Sequence, residues 1–361
     1  MQIRVFNIFD QELERLWVSL EEEAFVYPFQ TYTWLLHWYR TVGAPLHRVE
    51  LSIVVILNEH EIQLLLPLGI RKYYGVRFLE WLGGIHADYM SPIIHKHWKS
   101  QEKDFMDLWS QIDQALPHYD VRHFVKQPEM IGNEKNPFIS LLKNTPYLHS
   151  YSTILINDWQ IFKEKYAEKK VILDSERQRR RLLKKGSLIF IVADKPSEFK
   201  EITNVMIHQK LHRYANDVNN ILSLPEHKRF YLELNTTLSK SGQIHCSALK
   251  LDDIIIATHW GVLHNGRFFY LMPAFESREW ARYSPGRLLL EYLMEWACDH
   301  SVKVFDFNCG YAPYKEQWSN SIMKMHEHLE GVSLKGKIFV VAKGGKQFLR
   351  TLIKTVKIYI K

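Results

Sequence analysis

The stretch from Arg282 to Trp318, RYSPGRLLLEYLMEWACDHSVKVFDFNCGYAPYKEQW, constrains the fold more than any other part of this chain. The apolar run FFYLMPAF (Phe268 to Phe275) reads as a strand ahead of it. Ser284-Pro285 then opens a helix, with a hydroxyl at the N-cap and a proline at the first helical position, where a backbone N–H would lack a partner anyway. Leu288, Leu289, Tyr292, Leu293 and Trp296 recur at helical spacing, and His300-Ser301 ends the run. VKVFDFN follows as a buried strand, then Gly-Tyr-x-Pro-Tyr-Lys as a turn. Strand, helix, strand and a polar loop at the carboxyl end place a ligand where free N–H groups and the positive helix end converge.

Arg287, at the third helical position, and Arg282, just ahead of the helix, set two cations beside that positive end. Either both side chains reach solvent or a surface carboxylate, or a phosphate or carboxylate ligand sits there.

Tyr283, Ser284, Pro285, Gly286, Leu288 to Leu290, Asp306, Phe307, Gly310, Tyr314, Lys315 and Trp318 keep an order and spacing over one continuous stretch. They resemble the C-terminal signature of CelD/BcsL-type acyltransferases of the GNAT superfamily, which are similar in turn to the FemAB/FemX peptidyltransferases. The Phe29-Gln30-x-x-x-Trp34 start is similar to the family's N-terminal region. The resemblance implies an α/β fold (an α+β mixed sheet) built of tandem GNAT-like, acyl-CoA N-acyltransferase domains. It also implies acyl-CoA, such as acetyl-CoA, as co-substrate, and no metal.

In GNAT enzymes the donor's pyrophosphate lies on N–H groups ahead of the central helix, within a Gln/Arg-x-x-Gly-x-Gly/Ala loop. Arg282-Tyr283-Ser284-Pro285-Gly286-Arg287 departs from that pattern, with a proline inserted and Arg in place of the second glycine. The donor-site candidates are Arg282, Tyr283, Ser284, Gly286, Arg287 and Leu288. Lys315 matches the position of a FemX-like lysine near the transferred carbonyl, which implies neutralisation of a tetrahedral oxyanion; the alternative is a surface lysine on a short helix. Tyr314 either donates a hydrogen bond there or is structural. Asp306 alternates to the face opposite Phe305 and Phe307. A buried carboxylate there serves as general base or substrate-amine anchor, or else accepts structural backbone bonds. Asp88 and Tyr89, ahead of Ser91-Pro92, resemble the family's Asp-Tyr-x-x-Pro loop and join His259 as substrate-binding candidates. His208 and His212 share a helix face, but no third metal ligand is apparent.

The remaining sequence sets the context. With 361 residues the chain suits two domains of GNAT size, and 46% hydrophobic and 13% aromatic residues suffice for packed cores. A net charge of +7 and a pI near 9.0 favour acidic partners: anionic lipid, phosphate-bearing cofactors or tRNA. The three cysteines form no C-x-x-C pair, which argues against a disulfide scaffold or a structural zinc. Acidic residues in MQIRVFNIFDQELERLW occupy the place of a signal-peptide core, and no long apolar run suggests a membrane span, so a cytoplasmic protein is expected.

Three segments are expected: a GNAT-like domain at 1–150, a second at 151–341 with the donor site, and a basic amphipathic helix at 342–361. The hairpin VELSIVVIL/EIQLLLPLGI and a strand VRFLEWLGG in the first half resemble QIHCSALKL, IIIATHWGVL and RFFYLM in the second, where Asn265-Gly266 is a hairpin turn. A tandem duplication follows, with the substrate cleft between the halves. Gln127 to Pro146 reads as a linker or a long irregular loop. RQRRRLLKK, within a charged helical region from Asp158 to Lys185, is a solvated face, a nucleic-acid patch or the contact for a diphosphate-linked acceptor. The 342–361 helix lies on an anionic membrane surface, possible at the inner face of the membrane, or docks on its own domain.

The resulting reading is an acyltransferase acting on an amine or hydroxyl of a sugar or cell-envelope precursor, a glycan or other small-molecule acceptor. One rival is a FemX-like ligase taking its donor from aminoacyl-tRNA; the other is a non-catalytic polysaccharide-binding module that keeps the fold.

Overall fold

A computed structural model of the chain describes residues 1–59, 61–98, 102–215 and 220–342. The expected helix at 342–361 therefore falls, beyond Ala342, outside the described residues. The described chain forms two compact units, Met1–Leu148 with the described residues from Lys324 on, and His149–Met323. Among the described residues no helix is long and apolar enough to cross a membrane.

The first unit starts with β1 (Gln2–Phe6), α1 (Gln11–Glu23) and α2 (Tyr32–Trp38). Asp10 caps α1 by accepting from the Leu13 N–H, and Thr31 caps α2 by accepting from Trp34. Six strands follow: β2 (Glu50–Leu51), β3 (Ile53–Asn58), β4 (Glu61–Leu66), β5 (Leu68–Tyr73), β6 (Val76–Trp81) and β7 (Ile93–Ile94). Helix α3 (Glu102–Ala115) then crosses to β8 (Val121–Pro128), which pairs parallel with β6.

The presumed linker is ordered structure. It holds β9 (Met130–Ile131), β10 (Glu134–Lys135) and α4 (Pro137–Leu141). Gly132 lies in a turn, Pro137 opens α4, and Phe138 is fully buried among the rings of Trp81, Phe105, Trp109 and Phe124.

The second unit runs β11 (Asn144–Ile154), α5 (Trp159–Tyr166), α6 (Lys169–Leu183), β12 (Leu188–Val192), α7 (Pro196–Arg213) and α8 (Pro225–Leu238). It continues with β13 (Ile244–Leu251), β14 (Ile254–His264), β15 (Arg267–Phe269), β16 (Ala274–Phe275), α9 (Pro285–Asp299), β17 (Val304–Cys309) and α10 (Pro313–Trp318). Its strand order is β12-β13-β14-β15-β17-β11, with β16 on β14. Asn265 and Gly266 both take positive φ, 49° and 71°, at the expected tight turn.

The pair β15 and β17 runs parallel around α9, as β6 and β8 do around α3. Each unit thus joins an antiparallel hairpin to a parallel crossover, the tandem architecture expected from the sequence.

On one face of the second sheet, α9 buries Leu288, Leu289, Leu293 and Met294 against Phe268, Phe305 and Phe307. On the other, Asn235 of α8 accepts from the Trp260 indole at 2.7 Å and donates to Thr203 of α7 at 2.7 Å. Two expectations are corrected here. Phe268 to Phe275 is not one strand: β15 pairs with β17, Pro273 intervenes, and β16 pairs with β14. Nor does the second domain run to 341, because β18 (Ser321–Gly331) returns to pair antiparallel with β8 of the first unit.

Candidate active site

The start of α9 is built differently from a capped helix. Ser284 adopts left-handed φ 52° and ψ 48°, and its hydroxyl makes no capping bond. Capping needs an extended N-cap residue whose oxygen can reach back to the second or third N–H. The Ser284 carbonyl instead accepts from Arg287 and Leu288 N–H at 3.1 and 3.2 Å. Pro285 has no N–H, and the Gly286 N–H has no hydrogen-bond partner among the described residues. A Cβ on Gly286 would stand 3.0 Å from the Phe275 ring, so glycine lets β16 pass close beneath the helix.

The six donor-site candidates divide. Leu288 is fully buried core, and buried Tyr283 lies under the Arg181 guanidinium at 4.8 Å. Arg287 forms an ion pair with Asp174 of α6, which also takes Arg177. The Arg287 contact holds the Asp174 carboxyl below its usual range. Arg282, exposed, sits 5.1 Å from the Tyr283 ring. Arg282, Ser284 and Gly286 thus remain available at the helix start.

The basic run on α6 is partly inward. Arg179 lies over the Tyr292 ring at 4.9 Å and 3.7 Å from the Glu291 carboxylate.

In the middle of β17, Asp306 is fully buried and faces away from Phe305 and Phe307. Its Oδ2 accepts from Arg267 at 2.7 Å and its Oδ1 from the Asn308 N–H at 2.8 Å. Asn308, at φ 62°, donates its amide to the Tyr270 carbonyl at 3.0 Å, tying the ends of β15 and β17 together. Lys315, half-buried on α10, donates its ammonium to the Cys309 carbonyl at 2.7 Å and lies 3.4 Å from the Asn308 carbonyl. The Tyr314 ring meets Tyr270 and Phe307 edge-on at 6.2 and 6.3 Å, and burial pushes its phenol up to about 12.

His259 is fully buried, its ring stacked on Tyr270 at 4.7 Å, and neither ring nitrogen has a partner among the described residues. Burial pushes its pKa well down. It is an interior ring beneath the site rather than a group at its surface.

The end of α7 escaped sequence reasoning, although Lys210, Arg213 and Tyr214 share a helix face at i, i+3 and i+4. The Arg213 guanidinium lies 4.4 Å from the centre of the Phe275 ring, the ring against which Gly286 rests. Arg213 makes no ion pair among the described residues. Arg213 and Tyr214 both act electrostatically on Tyr314. Burial, with Arg213 beside it, brings the Lys210 amine down to about 8. The His208 and His212 rings lie 6.5 Å apart, with His212 Nδ1 3.4 Å from the Ser277 hydroxyl. No group of three or more metal-ligating residues exists among the described residues.

In the first unit, the two N-terminal motifs meet in the interior. Gln30 donates to the Ser91 carbonyl at 2.5 Å, and Tyr89 stacks flat on Tyr27 at 4.3 Å. Tyr89 is 1% exposed and packs in the interior of the first unit. Asp88 is ion-paired with Lys126 at 2.9 Å and keeps 27% of its side chain exposed.

Residues 169–316 match the family model of an acetyltransferase (GNAT) domain. No curated protein sequence matches the chain. Among solved structures, FemX aligns over 91% of this chain and 98% of its own, at 11% identity and a TM-score of 0.59. The structure of L-PGS from Bacillus licheniformis aligns over 92% and 96%, at 12% identity and a TM-score of 0.53. A tandem GNAT protein from the clavulanic acid biosynthesis pathway aligns over 92% and 98%, at 10% identity and a TM-score of 0.50. Together with the parallel crossover seen in both units, these likenesses show that the chain has a GNAT-type fold related to that of FemX.

Proposed function

We propose that the chain is an acyltransferase whose second unit holds an acyl-CoA at the start of α9 and passes the acyl group to an amine or hydroxyl of a sugar or cell-envelope precursor. One observation carries this reading. Arg213, which makes no ion pair among the described residues, and Gly286, whose N–H has no partner among them, both lie against the Phe275 ring at the start of a 15-residue helix. Arg282 adds a third donor group on the exposed side. Arg287, spent on Asp174, orients α6 instead of holding the donor.

The attacking group loses a proton as the carbonyl becomes tetrahedral and the thiolate leaves. Lys210, near 8, is the amine at the site able to accept that proton close to neutral pH. The Tyr314 phenol, kept protonated by burial, and the Lys315 ammonium, fixed on the carbonyls at the end of β17, are the groups that meet the developing oxyanion. Asp306 serves as a positioning residue, since Arg267 and the Asn308 N–H already occupy its carboxylate.

The likeness to FemX favours a second reading with the same site and aminoacyl-tRNA as donor. The exposed Arg177, Arg180, Lys184 and Lys185 of the α6 region suit such a polyanion. Thermal-shift titration separates the two. Stabilisation by CoA and acetyl-CoA supports the first, and stabilisation by charged tRNA alone supports the second. Stabilisation by an acceptor glycan alone leaves only a binding module.

A further inference from the structure

The chain ends its described part in a helix, 334–342, whose two sides have opposite characters. Ser333 caps it, accepting from the Gly336 N–H at 3.1 Å and donating to Asp120 at 2.6 Å. Its inner side is fixed. A Cβ on Gly336 would fall 1.8 Å from the Asp120 carbonyl oxygen, so the helix backbone lies directly on that strand entry. Phe339 meets Phe78 edge-on at 5.3 Å, and Val340 packs on the same cluster of Val76, Phe78 and Val121.

The outer side carries Leu334, Ile338 and Val341, at i, i+4 and i+7, which are 76%, 63% and 75% exposed. A helix already docked through its inner side has no intramolecular reason to present a second apolar stripe.

Beside it lies the β5–β6 turn. Lys335 donates to the Gly75 carbonyl at that turn, which displays Tyr73 and Tyr74 at 51% and 85% exposure. Lys72 and Lys337 are exposed nearby, and neither forms an ion pair among the described residues. Apolar stripe, tyrosines and unpaired lysines are the composition of a surface that sits in a lipid headgroup layer. The sequence that follows, residues 343–361, carries six Lys or Arg and no Asp or Glu.

We infer that Leu334, Ile338 and Val341, together with the Tyr73-Tyr74 turn, form a docking surface for an anionic bilayer. The stripe supplies apolar insertion, and Lys72 and Lys337 supply attraction to acidic headgroups. This surface is independent of the reaction assigned to the second unit.

Flotation of the full chain with phosphatidylglycerol/phosphatidylcholine vesicles, against phosphatidylcholine alone, tests it. The wild type should float with the anionic vesicles only. The Leu334→Ser/Ile338→Ser/Val341→Ser variant should float at least about tenfold less, with an unchanged melting temperature. Tyr74→Ser should give a smaller loss, and a chain ending at Ala342 should still prefer anionic vesicles. Equal flotation of wild type and triple variant overturns the inference. So does complete loss on truncation at Ala342, which would assign binding to the tail alone. A wild-type dimer that the triple substitution splits would assign the stripe to a second copy of this chain and equally overturn it.

Discussion

The Arg213 guanidinium lies over Phe275, 4.4 Å from the ring centre, and the same ring lies against Gly286, the second residue of α9. This stack fixes a cation at the positive end of a helix, an arrangement stable on its own only because the ring face and solvent share the charge. On the proposed reading, the diphosphate of an acyl-CoA donor would neutralise that cation.

Arg213→Gln should therefore raise the donor KM about tenfold or more while leaving kcat within about threefold, the signature of lost ground-state binding. Steady-state kinetics at varied donor and saturating acceptor would read this. A fall in kcat with unchanged KM would place Arg213 elsewhere in the reaction.

Removing Arg267 should cost more than removing the pair. Arg267→Met removes the ion-pair partner of the fully buried Asp306 carboxylate, a loss of about 3–5 kcal/mol. Arg267→Met/Asp306→Asn should recover at least half of it. Denaturant unfolding of both single variants and the double variant measures the coupling, and a double loss equal to the sum of the two single losses would show that the side chains act independently.

Glu21 gives the first unit a pH dependence. Burial raises its carboxyl from 4.5 to about 7, opposed by its bond from the Tyr32 N–H. The folded state thus holds the proton more tightly than the unfolded chain, so the stabilisation is complete below 4.5 and is lost as pH rises through about 7. Unfolding free energy should fall by up to about 1.4 kcal/mol per pH unit across that window, and Glu21→Gln should flatten the slope. A slope identical in Glu21→Gln would refute the assignment.

Gly336→Ala drives a methyl into the Asp120 carbonyl and should lift helix 334–342 from the first unit. Amide exchange in Lys337 to Val340 should accelerate by at least about tenfold, with the second unit unaffected. Unchanged protection would show that the helix is held without that approach.

Local signals in the sequence carried much of the architecture. The period of Leu288, Leu289, Leu293 placed α9, and Asn265-Gly266 placed the β14–β15 turn, because each depends on residues within a few positions. What could not be read depended on distant partners. Arg287 looked like a donor ligand until Asp174, 113 residues earlier, was found against it. Ser284 fits an N-cap in every local respect, yet the 3-10 turn before it delivers the chain in a left-handed conformation. The run at Arg179 and Arg181 looked solvent-facing, but Tyr292 and Tyr283 lie beneath those side chains. Lys210 and Arg213 were not legible as site residues because a lysine and an arginine on a helix face are ordinary until the fold sets Arg213 over Phe275.

Calorimetric titration of CoA into the wild type and into Arg213→Gln measures the central claim most directly. Saturable one-to-one binding in the wild type, weakened at least about tenfold by Arg213→Gln, is the predicted result. Absent binding, or binding equally tight in both proteins, would contradict a donor site at the start of α9.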